Sequence, residues 1–319
     1  MSAAGQCWYA GASMSLVALW FGVWLAAPPT VPGEIDHEPR DPLIYGGEDI
    51  DPGEWPAVVA VRTSKLCTGT LIAPDLILTA AHCFDPEPVA DVRIYFGDDL
   101  ATGNEVSSSE WGRHPDFCLP ADCGEDLHDF AWVRLPAPVA IEPIIPITDP
   151  LEFDEVMRAG TQLWFVGYGE DESAVVGTKR EVLASLTSFN ESGREFRAGG
   201  GGKDTCLGDS GGPALVQLGS GEWRLAGVIS RGGACGEGGI YGVPLPELCW
   251  LRDDSGTDLL PAGCEQCDCV MLNGEQPDEG CDCELVPVAP ERAPSWWLVV
   301  LELGVIAGLG LWLRRGRAC

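Results

Sequence analysis

Short apolar runs, separated by glycine, proline and aspartate, make up the middle of this chain. WPAVVAVR (55–62), GTLIAPDLILTA (69–80), DVRIYF (91–96), DFAWVRL (129–135), TQLWFVGYG (161–169) and WRLAGVIS (223–230) are rich in β-branched and aromatic residues and bounded by turn formers. No long segment between the two ends of the chain keeps a 3.6-residue apolar period. The pattern predicts an all-β domain of antiparallel strands, closed as a barrel or stacked as a sandwich. PLPELCWL (244–251) is the exception and opens a short helix at its end.

The two ends of the chain read differently. SMSLVALWFGVWLAA (13–27) ends in small residues and is followed by PPTVPGE, which predicts a signal peptide over 1–27. The first basic residue is Arg40, so an uncleaved anchor is the alternative. At the other end, the run from Trp296 to Leu313 is long enough to cross a bilayer. Trp296, Trp297 and Trp312 suit the interfaces, and the tail 314–319 carries Arg314, Arg315 and Arg317 for the cytoplasmic side. Glu302 interrupts the run, and a protonated carboxyl toward the outer third accounts for it. A buried amphipathic helix is the alternative, though the run has no polar face. Between Asp253 and Ser295 the chain is acidic, cysteine-bearing and finally proline-rich, as expected of a stalk.

Composition narrows the function. A formal net charge of −30 repels a phosphate backbone, which excludes nucleic acid as a partner and otherwise reads as a solvated acidic surface. Fourteen cysteines point to an oxidising compartment. The clustered pairs Cys264/Cys267, Cys267/Cys269 and Cys281/Cys283 could hold zinc, but no histidine lies near them, and disulfides fit the export signals better.

Candidate chemistry gathers in three places: His82 in LTAAHC, Asp129 in HDFAWVRL and Ser210 in KDTCLGDSGGP (203–213). Peptide hydrolysis needs a nucleophile, a base beside it, an orienter for the base and donors for a developing oxyanion. With IYGG (44–47), HPDF (114–117) and GYG (167–169) in the same order, the stretch from Ile44 to about Leu251 resembles the trypsin-like serine protease family. The resemblance implies two antiparallel six-stranded β-barrels over 44–252, with the site in the cleft between them. A propeptide over 28–43 would precede the domain.

The family's residues carry over position by position. His82, Asp129 and Ser210 match the catalytic triad. Gly208 and Ser210 supply the oxyanion-hole amides. Asp204, Ser230, Gly232 and Gly239 match the substrate-binding positions, with Asp204 at the floor of a pocket for arginine or lysine. Ser230 also matches the serine that supports the catalytic aspartate. Asp209 is expected to receive the α-amino group of Ile44 once the preceding bond is cut. Leu43 before that bond suits such a pocket poorly, so a separate activating protease is expected. The resemblance pairs Cys67 with Cys83 and Cys206 with Cys235. Cys118 and Cys123 could close a small loop outside the family pattern, and Cys249, Cys264, Cys267, Cys269, Cys281 and Cys283 are left unassigned.

Three departures stand out. Arg231 replaces the family's tryptophan after Ser230, either lining the groove or turned to solvent. The family's calcium loop is shortened to GDDLATGNE (97–105), where Asp98 and Glu105 could hold Ca2+ but read better as a solvated turn. His114 and His128 match no catalytic position. The end of the chain resembles the sorting and membrane-anchor tail of myxobacterial surface proteins. These readings converge on an exported, surface-tethered endopeptidase acting on protein substrates without a cofactor. The alternative is a catalytically silent relative used for binding or adhesion.

Overall fold

The structure, a computed structural model, describes residues 46–272 except 86–88, 90, 109, 172 and 265–266. The expected signal peptide, propeptide, Ile44, membrane run, tail, Cys281 and Cys283 lie outside the described residues. Among the described residues no helix is long and apolar enough to cross a membrane.

Among the described residues, fourteen strands form two sheets. The first sheet holds β2 (Val58–Arg62), β3 (Leu66–Ala73), β4 (Leu76–Thr79), β5 (Val92–Phe96), β6 (Asn104–Ser108), β7 (Glu110–Arg113) and β8 (Ala131–Arg134). Their order is β6-β5-β2-β3-β4-β8-β7, all antiparallel. β6 and β7 stand at opposite edges yet follow one another in the chain, so a single bent segment closes the barrel. Ser108 marks the bend, its Oγ accepting the Glu110 N–H at 3.1 Å and donating to the Arg134 carbonyl.

The second sheet holds β1 (Glu48–Asp49), β9 (Gln162–Gly167), β10 (Arg180–Phe189), β11 (Glu195–Ala198), β12 (Pro213–Gln217), β13 (Trp223–Gly232) and β14 (Gly239–Gly242). β9 pairs with both β10 and β12, and β10-β11-β14-β13-β12 completes the ring, with β1 added outside β10. Six strands therefore close this barrel. Six also close the first when the bent segment is counted once.

Each apolar run of the sequence becomes a strand because its side chains fill a barrel. Leu71, Ile77, Ile94 and Val133 are fully buried in the first, as are Phe165, Phe196 and Tyr241 in the second. The Phe196 and Tyr241 rings stack at 5.1 Å. β3 and β4 are buried almost throughout rather than alternately. The outer side of β3 explains this, since it meets the second barrel. There the Thr68 N–H donates to the Ser210 carbonyl at 2.8 Å and the Thr68 hydroxyl to that of Gly208 at 3.0 Å. The Tyr168 hydroxyl crosses the same seam to the Val58 carbonyl at 3.2 Å.

Two short helices, α1 (Pro120–Cys123) and α2 (Pro150–Val156), lie in connections. The third, α3 (Leu248–Ser255), follows PLPE as expected and ends at Gly256, whose φ of 75° is the left-handed turn that glycine accommodates. α3 returns to the first barrel, where Trp132 Nε1 donates to Asp254 at 2.7 Å.

The beginning of the expected stalk is not free of the domain. The helix runs past Arg252, and Cys264, Val270 and Leu272 are buried in the core. Disulfides join Cys249 to Cys267 and Cys264 to Cys269. Scattered leucines and valines among the acids supply the apolar contacts that hold this segment down.

Candidate active site

His82 stands in a one-turn 3-10 segment, Ala81–Phe84, directly after β4. The Cys67–Cys83 disulfide ties that turn to β3. The His82 N–H donates to Asp129 Oδ1 at 2.9 Å, and His82 Nδ1 meets Asp129 Oδ2 at 2.7 Å. One carboxylate thus holds both the backbone and the ring of the same residue. A neutral imidazole donating through Nδ1 carries its lone pair on Nε2, the atom a base must present. Asp129 is buried just ahead of β8 and takes a third donor from the other barrel, the Ser230 hydroxyl at 2.6 Å. β13 slips register between Ile229 and Arg231, and such bulges re-aim a side chain.

Ser210 lies on the loop leading into β12. Its carbonyl is held by Thr68 across the seam, and the next residue, Gly211, donates to the Ile229 carbonyl at 2.8 Å. A Cβ on Gly211 would strike Thr79 Oγ1 and the Thr68 carbonyl, so only glycine allows this approach. Among the described residues, the N–H groups of Gly208 and Ser210 have no protein acceptor, and the Ser210 hydroxyl has no protein partner.

Asp204 is buried, accepting the Gly238 N–H at 2.8 Å and facing the Thr205 hydroxyl at 3.4 Å. Burial pushes its carboxyl above the ordinary range, with the bonds from Thr205 and Gly238 opposing. Gly232 and Gly239 pair across β13 and β14, and Cys206–Cys235 bridges the two loops beside them. Asp209 is fully buried, accepting the N–H groups of Gly169 at 2.7 Å and Cys206 at 2.8 Å. Burial pushes it up to about 6. The remaining expected bridge, Cys118–Cys123, is formed around α1.

Other residues take places the sequence left open. Arg231 is not turned to solvent. Its guanidinium forks onto the buried Glu195 with two 2.7 Å bonds. Asp98 accepts the Gly53 N–H at 2.8 Å, while Glu105 faces Arg93 at 3.9 Å, so the two acids of the shortened loop serve separate partners.

His114 and His128 converge on Glu247, each at 3.1 Å, with their rings stacked at 4.8 Å. Burial would raise Glu247, but the hydrogen bonds from both histidines hold it down at about 2. The bond to Glu247 in turn raises His128. Although two histidines and a carboxylate are common metal ligands, His114 Nδ1 accepts the Asp116 N–H at 3.2 Å, which puts the ring proton on Nε2, facing Glu247. Arg194 already supplies a cation to Glu247 at 2.9 Å. The arrangement is that of an ion-pair cluster. Nothing in the sequence announced it, because its members come from four separate segments.

Comparison with known proteins bears on the whole region. The trypsin family model matches residues 44–247. The tryptase of Mus musculus is 29% identical over 250 residues, covering 66% of this chain and 87% of that protein.

Proposed function

Since this chain belongs to the trypsin family and is a trypsin-like serine endopeptidase, we propose that it cuts after arginine or lysine through His82, Asp129 and Ser210. Ser210 Oγ attacks the scissile carbonyl carbon while His82 Nε2 takes its proton. The oxyanion so formed is met by the N–H groups of Gly208 and Ser210. Collapse breaks the C–N bond, His82 returns the proton to the leaving amine, and water then releases the acyl group from Ser210 by the same steps. The single observation behind this reading is the double hold of Asp129 on His82, at a seam where Ser210 enters from the other barrel. Asp204 supports the preference for a cation, because a buried carboxylate gains most from a charged partner.

Activation belongs to the same reading. Asp209 would exchange its present backbone donors for the α-amino group of Ile44, released by another protease that accepts Leu43. Export rests on the apolar leader and on the disulfides among the described residues. Tethering at the cell surface rests on the apolar run 296–313 and the arginines after it.

The test is labelling of the activated ectodomain with a phosphonofluoridate, followed by peptide mapping. Label on Ser210, and loss of amidase activity on the order of a million-fold in Ser210→Ala, is the expected outcome. No label and no turnover of any member of a positional peptide library would replace the enzyme reading with that of a silent binding protein.

A further inference from the structure

The three residues before Asp129 are held in a way that triad chemistry alone does not require. Asp126 and His128 both have left-handed backbones, with φ of 57° and 45°. This region is sparsely used outside glycine and persists only where surroundings enforce it. Here each residue has its own anchor, in the turn before β11, at the start of β11, or at Glu247 after β14. Asp126 Oδ1 accepts Asn190 Nδ2 at 2.7 Å and Ser192 Oγ at 2.6 Å. The Leu127 N–H donates to Glu195 Oε1 at 3.3 Å. His128 Nδ1 meets Glu247 Oε1 at 3.1 Å, and Arg194 binds the same oxygen at 2.9 Å.

Four of these anchors, Asn190, Ser192, Arg194 and Glu195, belong to the tight turn and first strand residue that join β10 to β11. The turn is itself braced. The Asn190 N–H donates to the Glu195 carbonyl at 3.0 Å, the Glu195 N–H to Asn190 Oδ1 at 3.1 Å, and the Arg194 N–H to Ser192 Oγ at 3.1 Å. Arg231 completes the set, forked on Glu195 and 3.5 Å from the Ser230 hydroxyl that donates to Asp129.

We propose that the 190–195 turn, with Glu247, is a clamp that sets the position of Asp129, and that Asp126 is a positioning residue for the hydrolysis. The inference rests on the triad reading above. Asp129 must place two oxygens on two donors of His82 at once, so its Cα position tolerates little error. A left-handed backbone three residues and one residue upstream would relax toward common conformations once its anchors are gone, and Asp129 would move with it. A misplacement of 1 Å is worth roughly 100-fold in rate.

The experiment replaces Asp126 in the activated protease. Asp126→Ala removes the acceptor and leaves the left-handed backbone with nothing to hold it, free to relax. Asp126→Gly removes the acceptor and relieves the strain. Asp126→Asn keeps an Oδ1 acceptor and tolerates the left-handed region. With rates normalised to titrated active sites, Asp126→Ala and Asp126→Gly are expected to lose about 10- to 100-fold in kcat with KM little changed. Asp126→Asn should stay within about threefold of wild type. Ser192→Ala, which removes one of the two donors and is mild enough to fold, should fall between.

A second readout does not need turnover. In a Ser210→Ala background, the downfield proton resonance of His82 Nδ1–H should shift or broaden with Asp126→Ala and be restored with Asp126→Asn. An unchanged resonance, or wild-type kcat per active site in both Asp126→Ala and Asp126→Gly, overturns the clamp. Absence of phosphonofluoridate label on wild-type Ser210 would instead strike the triad reading beneath it.

Discussion

Asp204 is a buried carboxylate whose donors, from Thr205, Gly238 and Tyr241, are all neutral, which makes it sensitive to what enters beside it. Its closest bond is a single backbone N–H from Gly238, and burial alone lifts its proton affinity. A substrate ammonium or guanidinium would supply the missing counter-charge. Asp204→Ser removes that partner from a desolvated pair, which typically costs about 2–5 kcal/mol. We expect kcat/KM for arginine and lysine substrates to fall roughly 30- to 5,000-fold, with apolar substrates little affected. Retained arginine preference in this variant would move the specificity acid elsewhere, for example to Glu237. At this scale the sequence was most legible where a residue type has one compatible use. A serine between glycines, or a histidine in TAAHC beside a bridging cysteine, leaves few alternatives. Glu195, Arg231 and Glu247 were not legible, because a buried ion pair looks in sequence like any surface charge. Only the fold brings Glu195 to Arg231.

Among the elements, the strands could be read because apolar runs between turn residues have one stable use in an all-β domain. The bend that splits β6 from β7 could not, since a polar corner resembles a loop until both edges of the sheet are in view. The segment after Arg252 was obscured by its acids. Leu259, Leu260, Val270 and Leu272 follow no period, yet they pack against the core. The Cys249–Cys267 bridge ties this segment to α3 across a sequence separation of 18, and closing a loop of that size is worth about 3 kcal/mol in the chain-entropy model. Replacing both cysteines by serine should speed amide hydrogen exchange across 257–272 and lower the denaturation midpoint, while kcat stays at the wild-type value. Unchanged exchange would mean that apolar packing alone holds the segment. A fall in kcat would mean that it also shapes the cleft.

Stability of the whole molecule should carry the mark of Asp209. Its folded value of about 6 lies above the ordinary 3.8, so between these limits the folded chain binds a proton that the unfolded chain does not. The stabilisation from this group is complete below about pH 4, falls as pH rises to about 6, and is absent above, a change of at most about 3 kcal/mol. Asp204 is shifted in the same direction. Glu247, held near 2, acts oppositely and only below about pH 4.5, where its contribution is lost as pH falls. His128, raised by Glu247, loses its contribution above its unfolded value of 6.5. Urea unfolding of the Ser210→Ala precursor should therefore give a lower free energy at pH 6 than at pH 4.5. The same chain cut before Ile44 should lose that decline, because Asp209 would then hold a cation. A precursor whose stability rises across this interval would contradict the assignment.

The seam between the barrels has a consequence for how the chain is made. His82 and Asp129 belong to the first barrel, which leaves the ribosome complete by Arg134. Ser210 and Ser230 arrive only with the second, and the ring that holds them closes when β14 joins β11 and β13. Synthesis runs from the N-terminus and domains fold as units. While the stretch from Arg134 to Ser210 is being made, the growing chain therefore holds the proposed base and its orienter but not the proposed nucleophile, and Ser210 lacks its seat until β14 is home. A chain broken off before Ser210 therefore lacks the nucleophile that the proposed triad needs, whatever else has folded.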